Sequence, residues 1–326
     1  MFRMQTCLVV TMSDLPDVQG ERAQIPVALD MVGVSGLVKK VKVVRDGKET
    51  TLIPEFSAYI NLPREQRGVH MSRSSETIES IVEDVAYKPV EGVEELCRKL
   101  LERLLEKHEY SDRAVVVFES PLILDVRAGE EEVKRQKACR LHVRGEAKRG
   151  EEIEARVFVG VSVDGMTACP CAQEMVRSYA EAILAKRAEE LSLSKEVIGK
   201  ILDVVPLASH SQRCRGTLIV EVGNGGIDLT DLVEVVESSM SGSIQDVLKR
   251  HEEARLIRLA HLNPLFVEDV ARLIIFNTLR RLKWLPDESV VEVRVESMES
   301  VHSYNTVAYR KATVKELKRE LASSGD

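Results

Sequence analysis

The chain has 326 residues, 44% hydrophobic and 30% charged, and its 53 acidic side chains outweigh 46 basic ones for a net charge of −7. That describes a water-soluble globular protein of one large or two ordinary domains, and the acidic balance argues against a nucleic-acid binder held by bulk charge. An anionic small molecule stays open, since it needs only a local cluster of Arg, Lys or backbone N–H groups.

Residues Met1 to Val10 are too short and too polar for a secretory h-region, and no apolar run approaches a membrane span. A cytoplasmic location without membrane contact is expected. Extended, β-branched runs follow at 25–34, 37–44 and 51–60, with Asp46-Gly47 as a hairpin turn. Two helical stripes come next. Ile78, Ile81, Val82 and Val85 form one; Val93, Leu96, Leu100, Leu101, Leu104 and Leu105 form the other, with Cys97 on its apolar face. Strands are expected over 114–126, broken at Pro121, and over 139–147. A polar turn at Lys148-Arg149-Gly150-Glu151 closes the first half.

The second half opens on a half-buried strand in which Val157, Val159, Val161 and Val163 alternate with other residues. A long helix is expected over 172–191, a strand over 217–222, and helices over 228–239 and 264–283. Asn263 would cap the last of these, with Pro264 in its first turn. Strands over 290–295 and 306–309 and a short amphipathic turn at 314–321 end the chain. Segments 191–206 and 245–261 have no counterpart in the first half. The expected fold is α+β: two tandem β-β-α-α-β-β units, 1–149 and 150–326, each an antiparallel sheet with helices on one face. No long linker separates them, so one continuous sheet or core is expected.

Six cysteines, Cys7, Cys97, Cys139, Cys169, Cys171 and Cys214, lack disulfide-framework spacing, which reads as a reducing compartment. Cys169-Pro170-Cys171 differs from the rest. It sits where a strand gives way to a helix, and a helix N-terminus favours a thiolate, the form that binds metals and attacks carbon. Two small buried residues are an equally weighted alternative from spacing alone. In Ser209-His210-Ser211-Gln212-Arg213-Cys214-Arg215, His210 could bind a metal through one nitrogen while a neighbour fixes the other. Arg213 and Arg215 suit phosphate oxygens. Glu268 falls in a first helical turn and could accept two parallel N–H bonds from a planar edge such as that of guanine. Glu299 and His302 form a possible acid/base pair. His70 and Arg73, at another helix entrance, could hold phosphate or simply cap the helix. Gly223-Asn224-Gly225-Gly226 lacks a nucleotide-loop pattern and reads as a turn. His108, His142 and His261 read as structural. Any metal ligands must come from distant segments, because no paired CxxC or HxxxH spacing exists.

These motifs together resemble the type IB GTP cyclohydrolase family. The strings are Gly165-Met166-Thr167-Ala168-Cys169-Pro170-Cys171-Ala172-Gln173-Glu174, Ser209-His210-Ser211-Gln212-Arg213, Asn263-Pro264-Leu265-Phe266-Val267-Glu268-Asp269, Glu299-Ser300-Val301-His302 and Gly68-Val69-His70-Met71-Ser72-Arg73. The resemblance spans nearly the whole chain and is nearest to the archaeal, iron-dependent branch. It implies a tunnelling fold (T-fold) with two units per chain, a homodimer or homotetramer with interfacial active sites, and GTP as substrate. It implies Cys169, His210 and Glu253 as metal ligands, although His251-Glu252-Glu253 stands where bacterial members tend to have Pro-Asp-Glu. Glu268 becomes the guanine anchor, and Cys171, Glu299 and His302 the catalytic shell. The branch implies Fe(II); a thiolate, imidazole and carboxylate set also suits Zn(II) or Mn(II). The implied reaction opens the guanine imidazole ring at C8, releases formate and gives 7,8-dihydroneopterin 2′,3′-cyclic phosphate with loss of pyrophosphate, the first step of pterin biosynthesis. Alternatives are the bacterial-type product 7,8-dihydroneopterin triphosphate, a nitrile reductase with a covalent cysteine, and a non-catalytic purine- or pterin-binding protein.

Overall fold

Runs of β-branched residues build one large antiparallel sheet through the computed structural model, which describes residues 17–45, 47–87, 89–128, 133–223 and 225–323. Its strands in spatial order are β1 (Leu29–Val38), β4 (Glu55–Leu62), β6 (Arg113–Ala128), β7 (Val133–Arg149), β8 (Ile153–Ala168), β9 (Ser211–Val222), β11 (Val290–Ser297) and β12 (Thr306–Thr313). A two-residue strand, β10 (Gly242–Ser243), pairs with β8 as the ninth. β7 and β8 pair from Arg140↔Ser162 to Arg149↔Ile153, so the sheet runs unbroken through the middle of the chain, as the missing linker suggested.

The pleat sorts the two faces of this sheet. Val157, Val159, Val161 and Val163 are fully buried on one of them. Val157 lies opposite Gly145 and Val163 opposite Gly216 in the ladders. Both glycines are close-approach positions. A Cβ on Gly145 would meet Cys97 and Leu101 of helix α2 (Gly92–Lys107). On Gly216 it would meet Val236 of α6 (Leu229–Ser238) and Ile274 of α8 (Val267–Arg281). Helices α2, α6 and α8 therefore cover the same face. The opposite face carries polar contacts: Arg156 and Glu221 form a two-point ion pair at 2.7 Å, and Arg144 lies 4.4 Å over the Phe158 ring. Yet Phe158, Gly160 and Ser162 are buried on it too, so the centre of β8 is covered on both faces and is not the half-buried strand expected.

The order of elements overturns the expected fold of two tandem β-β-α-α-β-β T-fold units. In the first half, β2 (Val41–Arg45) and β3 (Lys48–Leu52) leave the large sheet and join β5 (Val90–Glu91) in a separate three-stranded one. Helix α1 (Met71–Tyr87) precedes β5 and α2 follows it. In the second half, α3 (Pro170–Lys186), α4 (Ala188–Leu191) and α5 (Lys195–Val204) intervene between β8 and β9, and α7 (Arg250–Leu262) precedes α8. Period-2 alternation identifies a strand but not the sheet it joins. The last helix among the described residues, α9 (Val314–Ala322), is longer than the single turn expected.

Local expectations met mixed outcomes. The turn at Asp46-Gly47 joins Arg45 to its partner Lys48, with Gly47 at φ +74°; Asp46 itself lies outside the described residues, as do Cys7, Met1 to Val10 and Asn224. Pro121 does not break β6, which pairs with β7 throughout. On the other side the pairing with β4 stops at Glu119, opposite Glu55, so the missing proline N–H removes no bond there. Asn263 does not cap α8. It terminates α7, and α8 begins at Val267 with the Phe266 N–H donating to Asp269 Oδ2 at 3.1 Å. Among the described residues, no helix is long and apolar enough to cross a membrane.

Candidate active site

The ladder between β8 and β9 runs out to Ala168↔Ser211, so the residues just beyond it, Cys169 and His210, leave the sheet side by side. The Cys169 N–H donates to the His210 carbonyl at 3.1 Å, and Ser209 Oγ donates to the Cys169 carbonyl at 2.6 Å. Cys169 is the N-cap of α3: its Sγ accepts from the Ala172 N–H at 3.4 Å, and Pro170 takes the first helical position, where a proline needs no N–H partner. Cys169 is half-buried and Cys171 exposed.

Three further segments converge on this end of the sheet. The Met298 N–H donates to the Arg213 carbonyl at 2.8 Å, which extends the β9–β11 pairing and brings the Glu299 loop alongside. Ser300 Oγ comes within 3.4 Å of His210 Nδ1. The Leu265 N–H donates to the Ala168 carbonyl at 3.0 Å, anchoring the entrance of α8 and placing the exposed Glu268 in its first turn. The Ala168 N–H donates to Ser241 Oγ at 3.3 Å. Beyond Ser241 a cavity of about 430 Å³ lies between β10 and α7, lined by Ser243, His251, Leu256 and Leu259 among others.

The remaining cysteines are of another kind. Burial pushes Cys97 and Cys214 up to about 12 and Cys139 to about 11, so all three are neutral thiols at neutral pH. The expected acid/base pair is not joined: Glu299 Oε1 accepts from Thr306 Oγ1 at 2.9 Å, while His302 stacks on Tyr304 with ring centroids 5.0 Å apart and planes 6° apart. No hydrogen bond links Glu299 to His302 among the described residues.

As to a metal, Cys169 and His210 are two donors of suitable chemistry on adjacent backbone. Glu253 stands exposed on α7, and among the described residues no three His, Cys, Asp or Glu side chains converge to hold an ion. Among the described residues, two such donors meet here and no third joins them.

A family profile described as type I GTP cyclohydrolase folE2 matches residues 15–308. The chain belongs to the type I GTP cyclohydrolase family. Relatives named GTP cyclohydrolase MptA cover nearly all of it. "GTP cyclohydrolase MptA 2" of Methanocella arvoryzae is 38% identical over 94% of this chain and 99% of its own length. The Methanosphaera stadtmanae protein is 37% identical over 95% and 99%. The Methanococcus maripaludis strain C5 protein is 38% identical over 94% and 97%. Among solved structures, uricase from Arthrobacter globiformis superposes with a TM-score of 0.50 over 89% of this chain and 96% of its own, at 7% identity. That likeness is one of fold alone.

Within this cyclohydrolase the other residues singled out from the sequence are dispersed. Arg215 is engaged by Asp164 through two bonds, at 2.6 and 3.0 Å, while Arg213 is exposed on the same strand and the same face. His70 and Arg73 belong to the entrance of α1. There His70 Nε2 meets Asp17 Oδ1 at 2.9 Å and Arg73 Nη1 donates to the Lys107 carbonyl at 3.3 Å. The Gly20 N–H and then His70 hold the Asp17 carboxyl below the usual carboxylate range. The histidines read as structural are bonded: His108 to Ser74 and Tyr110, His142 to Glu119 and Ser162, and His261 to the Ile257 carbonyl. Sequence reasoning did not single out Gln212, Thr167, Ser297 or Ser300. Gln212, Thr167 and Ser300 lie inside the family-like strings, and the period-2 position of Gln212 relative to His210 is a further signal.

Proposed function

We propose that this enzyme converts GTP to 7,8-dihydroneopterin 2′,3′-cyclic phosphate, releasing formate and pyrophosphate, as the first step of a pterin biosynthesis. The observation that carries the reading is the 37–38% identity, over 94–95% of the chain, to proteins named GTP cyclohydrolase MptA. The meeting of Cys169, His210, Ser300 and the Glu268 turn at one end of the sheet supports it.

In this reading Glu268 receives the guanine N1–H and N2–H groups, a two-point contact that fixes the base in plane and places C8 toward Cys169 and His210. Water adds at C8, the ring opens, and hydrolysis of the resulting formamide releases C8 as formate. His302, held flat against Tyr304, moves protons to and from the ring nitrogens, with Glu299 nearby and Cys171 at the rim. Arg213, His70 and Arg73 are assigned to the phosphates; Arg215 joins them only by exchanging its Asp164 contact. Cys169 and His210 would hold a divalent ion, Fe(II) by the branch resembled and Zn(II) or Mn(II) by donor chemistry, with Glu253 as third ligand. Such an ion lowers the pKa of bound water.

Assembly into a homodimer or homotetramer would complete the site. Helix α3 buries none of its residues, and it exposes Met175, Tyr179 and Ile183. The edge strands β1 and β12 leave Leu29, Met31, Val307 and Tyr309 exposed.

The test is anaerobic incubation of metal-stripped protein with GTP, with and without Fe(II), reading formate and, after oxidation, pterin fluorescence and product mass. Fe(II)-dependent formate with a cyclic-phosphate pterin is expected, and Glu268→Gln should lose guanine binding. A triphosphate product would correct the product assignment. No formate with Fe(II), Zn(II) or Mn(II) would sink the reading.

A further inference from the structure

Both protein contacts of the His210 imidazole fall on one nitrogen. Gln212 Oε1 lies 2.9 Å and Ser300 Oγ 3.4 Å from Nδ1. Nε2 has no hydrogen-bond partner among the described residues, and it is not sealed from solvent. Gln212 is itself held. Its Nε2 donates to Thr167 Oγ1 at 3.1 Å, and Thr167 Oγ1 lies 3.4 Å from Ser297 Oγ. Thr167 is 1% exposed and Ser297 2%, so this chain of contacts is anchored in the interior. Three neighbouring strands supply it, and Thr167 and Gln212 are ladder partners between β8 and β9.

An amide whose NH₂ end is committed to Thr167 turns its carbonyl toward the ring. A carbonyl only accepts, so Nδ1 must carry the proton, and the lone pair is left on Nε2. We infer that Gln212, oriented by Thr167 and Ser297, is a positioning residue that holds His210 in the Nδ1–H tautomer and presents Nε2 as an electron-pair donor to the Cys169 site. In the other tautomer Nε2 would carry a proton and could not take a cation. Outer partners of this kind set both ring orientation and basicity of a ligating imidazole. The consequence for metal rests on the proposed role of His210 as a ligand; the tautomer does not.

Two measurements keep these apart. The first is ¹⁵N NMR of histidine-labelled, metal-free full-length protein, at a pH where the imidazoles are neutral, with His210 assigned by its loss in His210→Gln. Wild type should show a protonated Nδ1 and an unprotonated Nε2, and Gln212→Leu should shift His210 toward the Nε2–H form. The second is cobalt(II) affinity by anaerobic competition. Gln212→Leu should bind about 10–100-fold more weakly, the usual loss for an outer partner. Gln212→Glu, which still accepts from Nδ1–H, should restore binding. If Gln212→Leu does not fold, Thr167→Val, which only frees the amide, should give the same tautomer shift in smaller measure. A His210 protonated at Nε2 in the wild type, or a His210 tautomer unchanged in Gln212→Leu, would overturn the inference; a shifted tautomer with unchanged cobalt affinity would sink the ligand role of His210. A wild type that binds no cobalt, yet shows the Nδ1–H form lost in Gln212→Leu, would sink the ligand role of His210 and leave the positioning role standing.

Discussion

Replacing Glu94 by Ala removes a carboxylate whose side chain is only 2% exposed and whose two oxygens are both used. Oε1 accepts from the Ile227 N–H at 2.8 Å, and Oε2 accepts from Arg45 Nη2. The loss is unequal on the two sides. Ile227 is 1% exposed, so its N–H is left buried without an acceptor, at a cost of about 1–3 kcal/mol. The Arg45 side chain is 27% exposed and can recover water, so its share is smaller, roughly 1 kcal/mol. The guanidinium is also hemmed in: a Cβ on Gly92 or Gly226 would collide with it. We expect Glu94→Ala to lower the unfolding free energy by about 3 kcal/mol, the lower end of the range for breaking a buried pair. Glu94→Gln keeps an acceptor for Ile227 and should lose only the Arg45 share, about 1 kcal/mol. The assay is urea unfolding followed by far-UV circular dichroism, compared at equal m. A loss under about 0.5 kcal/mol for Glu94→Ala, or equal losses for Ala and Gln, would refute the argument that the buried N–H dominates.

Burial pushes His108 down to about 4, so the folded state holds it neutral while the unfolded chain titrates near 6.5. The unfolded state then binds more protons in that window. Stability is complete above pH 6.5 and falls as the pH drops toward 4, by on the order of 2–3 kcal/mol; a His108→Gln variant that kept the same slope in pH-dependent denaturation would contradict this. A methyl added in Gly145→Ala would press on Cys97 Sγ and Leu101 Cδ1, 2.4 and 2.7 Å from the added atom. It should destabilise by about 1–3 kcal/mol, and an unchanged midpoint in thermal melting would show that α2 is not seated tightly on the sheet. Cys169→Ser keeps an N-cap oxygen for the Ala172 N–H, so stability should hold within about 1 kcal/mol while formate release from GTP disappears. Turnover at the wild-type rate would remove Cys169 from the proposed chemistry.

Much of the local architecture was legible in the residues themselves. The β8 valines alternate cleanly, α2 carries its leucines at helical spacing, and Gly47 takes the turn conformation expected of it. Those features are set within a few residues by side-chain period and backbone sterics. The motifs at Cys169, His210, Glu268 and Glu299 were legible too, as residue types in an order that resembles one family. What they do to one another was not. That β2 pairs with β5 and carries β3 into a small sheet of its own, and that Cys169 lies against His210, follow from pairings between segments far apart in the chain. The fate of each polar group was decided in the same way. Arg215 is engaged by Asp164, and Glu299 by Thr306 in place of His302. The sequence by itself determined many of the strands and helices, though not α5 or α7, and which side chains could do chemistry. Only the tertiary structure decided which of them meet, because contact across the sheet depends on ladder register and on which buried donor finds which acceptor, and neither has a local signature.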